Sequence, residues 1–509
     1  MRIDPPNFGE LAWRGHSLYP DKVAFEQGEL VVTYAELERR TRQAAAMLAR
    51  LEVVKGDRVL LLFRNDYRFA ECLLGTLRVG AIAVPANVKV GADNLTYIAE
   101  HSEAVAAIGH ADLVGKIPPL PRSLTLDGSY DDELAATPAE FETVEVDPGR
   151  DEALLMYTSG STGRPKGVQL SHANKWWQAA SAAETMLWKP RDKALVTGPL
   201  YHANALWACL LPMLYVGGSL VILPGFDPAE VLEAIDRYRP TYTSGTPSMF
   251  SMLLAERETL GRCDVSSIEL LECGSAPVPE ELMVELKRIF ACEVCETYGL
   301  TEGGATVISP RWGIKKLGST GLPVPGVEIR IVALESGRDC APGEVGELWS
   351  RCGANAIGYL KQPDVTAAKL TEDGWLKTGD LVKADDQGYV YICGRVDDMI
   401  SVGGENVYPK EVETILLEHP AVADACVVPA AHEVKGAAPV AWVVLHAANE
   451  ATEDELKQWF LERGAAYAHP RRVFFVDELP LSGTNKVDRK ALTDEVERLL
   501  PAGLASAHA

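Results

Sequence analysis

Short apolar runs alternate along this chain with stretches that have the spacing of amphipathic helices. Residues 58–63 and 81–84 have the pattern of buried strands, and residues 67–79 between them have the pattern of a helix. A strand, a helix and a second strand in this order predict a parallel crossover. Because the alternation continues through most of the chain, we expect an α/β fold.

An uncharged run, residues 205–223, has the length of a membrane-spanning helix. Pro212 and the Gly-Gly-Ser turn at 217–219 interrupt it. The pattern therefore predicts a buried helix, a turn and a buried strand.

The pattern changes after residue 343 to short strands separated by turns rich in Gly and Asp, up to about residue 391. We predict a large N-terminal domain of α/β layers at 1–395, which includes a small β subdomain at about 320–395. Residues 396–509 form a self-contained run of helices and strands, which predicts a small α+β C-terminal domain.

The charge balance limits the partners. Lys and Arg total 49 against 72 Asp and Glu among 509 residues, a net charge of −23. Such a surface repels nucleic-acid backbones and anionic membranes, so neither is an expected partner. With 47% hydrophobic and 24% charged residues, the composition is that of a packed globular protein.

The cysteines and the ends of the chain indicate a reducing compartment. Ten cysteines are scattered without the spacing of a disulfide scaffold. Cys292 and Cys295 form a lone CxxC on an apparent buried strand, which favours a structural role. Neither end resembles a signal peptide, a peroxisomal tail or a prenylation tail. We expect a cytoplasmic protein, and the sequence leaves a homodimer open.

The most informative segment is Tyr157-Thr-Ser-Gly-Ser-Thr-Gly-Arg-Pro-Lys166-Gly167. Its small and hydroxyl residues suit backbone and side-chain contacts with a polyphosphate, and Lys166 adds a positive charge. The spacing fits neither a Walker loop nor a nucleophile elbow. Apolar runs on both sides predict a hairpin loop. The alternative is an ordinary surface loop.

Further motifs support the first interpretation. The loop is similar to the phosphate-binding signature of the adenylate-forming superfamily, which includes acyl-CoA synthetases, peptide-synthetase adenylation domains and luciferases. Other segments resemble that family's motifs in the same order along nearly the whole chain: Pro199-Leu-Tyr-His202, Gly274-Ser-Ala-Pro277, Tyr298-Gly-Leu-Thr-Glu302, Gly374-Trp-Leu-Lys-Thr-Gly-Asp380, Gly394-Arg-Val-Asp397, Gly403-Gly-Glu-Asn-Val-Tyr-Pro409 and Asn485-Lys-Val-Asp-Arg-Lys-Ala-Leu492.

The chain most resembles an acyl-CoA synthetase. This resemblance implies ATP and coenzyme A as reactants and Mg²⁺ as a cofactor. It also implies a mobile C-terminal domain that turns about Asp397. It assigns catalytic roles to Lys486, Thr158, Glu302 and His202, with Glu302 as the Mg²⁺ ligand. It implies binding of nucleotide or coenzyme A by Ser159, Ser161, Thr162, Lys166, Gly274, Ser275, Ala276, Pro277, Thr297, Tyr298, Gly299, Thr301, Asp380, Arg395, Gly403 and Gly404.

Within this set, Asp380 is expected on the ribose hydroxyls and Tyr298 against the adenine. Arg395 is expected to reach the phosphates. Lys486 is expected to bridge the substrate carboxylate and the α-phosphate. One departure lies beside it, because Asn485 stands where the family usually has glycine, although asparagine tolerates left-handed backbone.

The expected acyl pocket contains His202, Ala203, Asn204, Trp207, Met249, Gly303 and Gly304. It is mainly apolar, and residues 199–207 lack the acid that amino-acid-activating relatives use to bind an ammonium group. Trp207 and Met249 are bulky, so we predict a medium-chain, alicyclic or aryl carboxylate as substrate and an ATP-dependent acid:CoA ligase. Two alternatives stay open: an adenylate-only ligase that passes the acyl group to a carrier-protein thiol, and a catalytically silent nucleotide-binding protein.

Overall fold

The computed structural model describes residues 5–158, 164–276, 278–309, 311, 313–446, 450–480, 487–501 and 503–504. The chain divides into two compact units. Unit 1 contains Met1–Ile329 and Trp349–Thr378, and unit 2 contains Arg330–Leu348 and Gly379–Ala509. The domain boundary at 395/396 stays a prediction.

The helices begin and end as follows: α1 Trp13–Leu18, α2 Tyr34–Arg50, α3 Arg68–Arg78, α4 Ala92–His101, α5 Ala111–Val114, α6 Ser129–Ala135, α7 His172–Met186, α8 Leu211–Val216, α9 Pro228–Tyr238, α10 Pro247–Ala255, α11 Arg257–Arg262, α12 Glu280–Phe290, α13 Pro363–Lys369, α14 Pro409–Leu417, α15 Glu453–Leu461 and α16 Arg489–Leu499. A 3₁₀ turn spans Phe8–Glu10 and a π-helix spans Ala205–Leu210. No helix in the described part of the chain combines the length and apolarity that crossing a bilayer requires.

The strands are β1 Val23–Gln27, β2 Leu30–Thr33, β3 Arg58–Leu62, β4 Ile82–Pro85, β5 Ala106–Gly109, β6 Arg122–Thr125, β7 Glu152–Thr158, β8 Lys166–Ser171, β9 Lys193–Val196, β10 Ser219–Ile222, β11 Tyr242–Gly245, β12 Leu270–Gly274, β13 Glu293–Leu300, β14 Gly304–Ile308, β15 Leu322–Pro323, β16 Glu328–Val332, β17 Gly346–Arg351, β18 Gly358–Tyr359, β19 Leu376–Ala384, β20 Val390–Arg395, β21 Ile400–Val402, β22 Glu405–Val407, β23 Val422–His432, β24 Gly436–Leu445 and β25 Arg472–Phe475.

Unit 1 is built on two mixed sheets. One has the order β15-β14-β13-β12-β11-β9-β10-β1-β2, and the other has the order β18-β8-β7-β4-β3-β5-β6. Parallel strands fill the centre of each sheet. Antiparallel strands lie at both ends of the first sheet and at the β18-β8-β7 end of the second, whose other end, β5-β6, is parallel. Helix α7 contacts β7 and β8 of the second sheet and β14 of the first, so it lies between the two sheets.

The local predictions for unit 1 are confirmed. Strands β3 and β4 are parallel and α3 connects them, as the crossover pattern requires. The run 205–223 folds as two consecutive helical segments, a turn with Gly217 at φ +75°, and strand β10. The π-helix within this run was not predicted. Cys292 and Cys295 are buried, and neither is in a disulfide.

Unit 2 contains the strands of the C-terminal region. Its sheet has the order β22-β21-β24-β23, and β25 pairs with β24. A separate sheet of order β16-β17-β19-β20 includes the segments at which the two units divide. Helices α14 and α16 pack against β23. The predicted α/β fold class, with a large N-terminal part and a small C-terminal part, is confirmed, and the mobility of the C-terminal part stays a prediction.

Candidate active site

The phosphate-loop segment lies between two paired strands of unit 1. Thr158 ends β7 and Lys166 begins β8, and the two residues are partners across the antiparallel pair. The predicted hairpin is therefore confirmed. Ser159, Ser161 and Thr162 lie outside the described residues. Tyr157 anchors the preceding strand, because its hydroxyl is 2.8 Å from Nδ1 of His101.

A second strand brings the predicted metal ligand towards this hairpin. Strand β18 pairs with β8, where Tyr359 is the partner of Val168. The Tyr359 hydroxyl donates a hydrogen bond of 2.8 Å to Oε1 of Glu302. The backbone N–H of Ala356 also donates to the carbonyl oxygen of Glu302 at 2.7 Å. Glu302 is therefore fixed, through β18, to the strand that begins at Lys166.

The Glu302 carboxylate fits a magnesium ligand. Its Oε1 accepts from Tyr359, and Oε2 accepts no hydrogen bond from any described residue. Mg²⁺ is usually bound by one or two carboxylates together with phosphate oxygens and water, rather than by a protein cage. The described residues contain no cluster of three or more His, Cys, Asp or Glu that could bind a metal alone. Glu302 is thus suited to an ion that shares its coordination with a nucleotide.

A chain of hydrogen bonds connects residues of the predicted acyl pocket and the predicted nucleotide site. Ser244 donates to Oδ1 of Asn204 at 2.9 Å, and Nδ2 of Asn204 donates to Oγ of Ser275 at 3.4 Å. The backbone N–H of Asn204 donates to Nδ1 of His202 at 3.3 Å. Ser275 has φ +68°, in the left-handed region. The structure thus joins three predicted site residues through Asn204, which lies directly before the π-helix Ala205–Leu210.

The predicted apolar wall of the pocket is buried. Trp207 is on the π-helix and Met249 is on α10, and both side chains are almost inaccessible to solvent. Ala203 is half-buried against the same core as Trp207. Gly304 begins β14 and Gly303 directly precedes it. A Cβ at Gly304 would lie 2.8 Å from Nε2 of Gln178. The absence of a side chain at Gly304 therefore lets Gln178 approach the backbone closely.

The remaining predicted nucleotide residues of unit 1 lie at the ends of neighbouring strands. Gly274 ends β12, and its partner Thr297 lies on β13 with Tyr298 and Gly299. A Cβ at Gly274 would lie 2.6 Å from the carbonyl oxygen of Thr297. Thr301 follows β13 directly, Ala276 follows Ser275 after β12, and Pro277 lies outside the described residues.

Two further predicted residues meet in unit 2. Asp380 on β19 and Arg395 on β20 are cross-strand partners, and Nη1 of the arginine lies 2.6 Å from Oδ1 of the aspartate. The Asp380 side chain is mostly buried, whereas the Arg395 side chain is 45% exposed. The predicted ribose ligand and the predicted phosphate ligand are therefore ion-paired.

The other predicted residues of unit 2 lie on turns. Asp397 is exposed just after β20. Gly403 and Gly404 connect β21 to β22 with φ +63° and +96°, a conformation that disfavours other residues. No atom of a described residue lies within 4 Å of a Cβ placed on Gly404, so the described part of the chain leaves space beside the turn. Lys486 lies outside the described residues.

Sequence reasoning missed Lys175, Gln178 and Tyr359. Tyr359 lies 57 positions from Glu302, so no local pattern connects them. Ser171 caps α7 by accepting from the N–H of Asn174 at 3.2 Å, and this fixes where the helix begins. Lys175 and Gln178 are then neighbours on one face of α7. A lysine directly before two tryptophans was the available signal.

The chain is similar to known proteins over nearly its whole length. The sequence profile of the AMP-binding enzyme family matches residues 13–360, and that of the AMP-binding enzyme C-terminal domain matches residues 411–486. The chain is 36% identical to a feruloyl-CoA synthase of an Amycolatopsis species, over 97% of this chain and 99% of the relative.

Solved structures are similar over the same extent. ATP-bound MatB of Rhodopseudomonas palustris superposes with a TM-score of 0.89 at 28% identity, over 96% of this chain and 99% of that one. The o-succinylbenzoate CoA synthetase of Bacillus subtilis, in complex with its acyl-adenylate intermediate, has a TM-score of 0.84 at 31% identity, over 96% and 98%. Since the profile covers most of the chain and the sequence relative spans nearly all of it, this protein belongs to the AMP-binding enzyme family.

Proposed function

We propose that this protein is an AMP-forming acid–thiol ligase that joins a carboxylic acid to coenzyme A at the expense of ATP. The observation that carries the proposal is the Tyr359 link, which ties the carboxylate of Glu302 to the strand that begins at Lys166. A metal-binding oxygen and a cation at the end of a polyphosphate loop are the groups that phosphoryl chemistry needs. The nearly full-length similarity to a CoA synthase supports the same class of reaction.

The proposed reaction activates a carboxylate that is itself unreactive. A free carboxylate is a poor electrophile because oxide is not a leaving group. In the first step a carboxylate oxygen forms a bond to the α-phosphorus of ATP, and the bond to pyrophosphate breaks. In the second step the thiolate of coenzyme A attacks the acyl carbon, and AMP leaves. Negative charge grows on phosphate oxygens in the first step, so fixed donors and cations supply much of the acceleration.

The side chains divide this work in unit 1. We assign Thr158 and Lys166 to the β- and γ-phosphates, and Glu302 to Mg²⁺, which when bound offsets phosphate charge. Tyr298 and the Gly274–Ala276 turn are assigned to the adenine side. His202 and Asn204 are assigned to the acyl side.

The side chains of unit 2 complete the assignment. Asp380 is assigned to the ribose and Arg395 to the phosphates. Lys486 is assigned to the bridge between carboxylate and α-phosphate. Gly403 and Gly404 are assigned to the passage of the pantetheine arm, because their turn carries no side chain into the adjoining space.

The acid itself is an aryl or alicyclic carboxylate under this proposal. Buried Trp207 and Met249 form an apolar wall that suits a ring. The names of the similar proteins include feruloyl-CoA synthase and o-succinylbenzoate CoA synthetase, whose acids contain aromatic rings. We further infer a cytoplasmic enzyme, from the scattered free cysteines.

Pyrophosphate release over a panel of carboxylic acids tests the proposal. We expect release with benzoate- and cinnamate-type acids, and formation of a thioester when coenzyme A is added. Release without thioester formation would favour the adenylate-only ligase. A purified protein that binds ATP but releases no pyrophosphate with any acid would establish the silent protein instead.

A further inference from the structure

The inference concerns Lys175, a lysine on α7 to which the assignments above give no role. Its side chain has no exposure to solvent. Its ammonium nitrogen lies 2.5 Å from Oε1 of Gln178 and 4.1 Å from the centre of the Trp207 ring. Lys175 therefore contacts a residue of the predicted acyl pocket directly.

The surroundings of Lys175 lack the partner that a buried cation normally has. A buried charge is usually paired with a carboxylate, because removal from water is unfavourable by several kcal/mol. Among the described residues no Asp or Glu forms an ion pair with Lys175, and its hydrogen bond goes to a neutral amide. Burial lowers the pKa of Lys175 to about 7. The Gln178 amide and the Trp207 ring therefore compensate for the burial of the charge only in part.

A second donor lies beside it. Trp207 is 7% exposed, and its indole N–H makes no hydrogen bond with any described residue. A ligand or a water molecule can complete the bonding of such a donor. The site therefore contains two buried donors, the ammonium group of Lys175 and the indole N–H of Trp207. The ammonium group lies over the ring that carries the indole N–H.

These two donors are connected to residues of the predicted acyl pocket. Trp207 lies on the π-helix that follows Asn204, and Asn204 bonds to Ser275 of the predicted nucleotide side. Gln178, which accepts from Lys175, lies close to the backbone of Gly304, another residue of the predicted acyl pocket. The ammonium group therefore contacts Trp207 directly and is connected to Gly304 through Gln178.

We propose that Lys175 is a specificity-determining residue that binds a hydrogen-bond-accepting group, such as a second carboxylate, a ketone or a phenolic oxygen, at the end of the acid distant from the activated carboxylate. This inference rests on the proposed function and narrows its substrate class. The distal group supplies an acceptor in addition to the Gln178 amide, and an anionic group also supplies the counter-charge that favours the protonated lysine. A purely apolar acid supplies neither.

Matched pairs of acids test the inference: octanoate with octanedioate, benzoate with 4-hydroxybenzoate, and cinnamate with 4-hydroxycinnamate. The readout is kcat/KM for pyrophosphate release. The wild type is expected to prefer the member with the distal acceptor in at least one pair by about 10- to 100-fold, as for one hydrogen bond to a charged group. Lys175→Met is expected to abolish that preference while it retains turnover of the apolar member.

A matched control is Lys22→Met. Lys22 is a half-buried lysine of unit 1 whose ammonium group donates to the carbonyl oxygens of Pro190 and Gly217, and burial lowers its pKa to about 8. Its removal should leave the preference unchanged. Lys175→Gln, which keeps a donor, should retain part of the preference, and thermal unfolding identifies any variant that has not folded.

Three results would overturn the inference. A wild type that is active but favours the apolar acid in every pair contradicts it, and so does a folded Lys175→Met variant with an intact preference. In both cases the proposed ligase activity stands. A wild type that releases no pyrophosphate with any acid removes the proposed function, and the role of Lys175 with it.

Discussion

Two fully buried cations of unit 1, Arg78 and Lys175, have opposite environments. Arg78 lies 2.6 Å from Oε2 of Glu38 and also donates to the carbonyl oxygen of Gly9 at 3.0 Å. Lys175 has an amide oxygen and an aromatic face. The arginine is therefore neutralised within the fold, whereas the lysine is not.

The difference shows how a structural charge can be told from a functional one. A buried ion pair with its hydrogen bonds complete connects elements, here α3 with α2, and needs nothing from outside. A buried cation without a counter-charge is unfavourable for stability and is retained where a site uses it.

The largest effect is expected on the structural side. Replacing Arg78 by Met should lower the free energy of unfolding by about 3–5 kcal/mol, because Glu38 is left buried beside an apolar group. Denaturant unfolding measures this change. Arg42→Met is the control. Nε of Arg42 lies 2.7 Å from the other oxygen of Glu38, and the Arg42 side chain is 43% exposed. Equal losses in both variants would show that burial does not decide the strength of these pairs.

Lys486→Ala should leave stability unchanged and reduce adenylate formation by about a hundred- to a thousandfold, as expected for the loss of a donor that stabilises transition-state charge. Exchange of labelled pyrophosphate into ATP measures the step. The control is Lys490→Ala, because Lys490 is exposed and pairs only with Asp494 at 2.7 Å among the described residues. Near wild-type exchange by Lys486→Ala would refute the assignment.

Lys175 should make stability depend on pH. Its pKa is lowered to about 7 by burial, against about 10.4 in an unfolded chain. Between these values the unfolded chain binds more protons, so the free energy of unfolding rises with pH, by about 1.4 kcal/mol per pH unit for this group. The contribution of Lys175 is therefore least favourable below pH 7.

Urea unfolding of the wild type and of Lys175→Met at pH 7, 8 and 9 measures this contribution. Other titrating groups are common to both proteins, so the difference between the two slopes belongs to Lys175. The methionine variant should be the more stable of the two at pH 7. Parallel slopes would show that the lysine is not held in an unfavourable environment, and would remove the contrast with Arg78.

The smallest effect concerns the carboxylate that the proposed metal needs. Tyr359→Phe removes the hydrogen bond to Glu302 and should reduce pyrophosphate exchange about fivefold, the equivalent of about 1 kcal/mol. Tyr238→Phe is the control, because it removes an exposed hydroxyl that donates to the carbonyl oxygen of Gly28 at 3.1 Å. Identical rates for the two variants would mean that the Tyr359 link does not position Glu302.

The sequence was informative where the signal is local. Alternating apolar runs predicted the β3-α3-β4 crossover, and the segment from Tyr157 to Lys166 predicted a hairpin, because strand pairing across a short loop depends on neighbouring residues. Ordered motifs also identified the family. The roles of individual site residues remain predictions, and the structure adds which of them lie together.

The features that the sequence did not predict depend mainly on contacts between residues that are distant along the chain. The hydrogen bond between Tyr359 and Glu302 depends on the pairing of β18 with β8. The burial of Lys175 depends on the two sheets that enclose α7. The π-helix before α8 was also missed, since its apolar sequence is equally compatible with an ordinary helix. Packing between distant segments, rather than local propensity, determines these features.

The pairing of Asp380 with Arg395 on adjacent strands has a consequence for nucleotide capture. The two charges cancel before any nucleotide arrives, so unit 2 does not offer ATP a bare guanidinium at this place. Under the proposed roles, ribose and phosphate approach two groups that already contact each other. Affinity at this place therefore includes the cost of rearranging this ion pair.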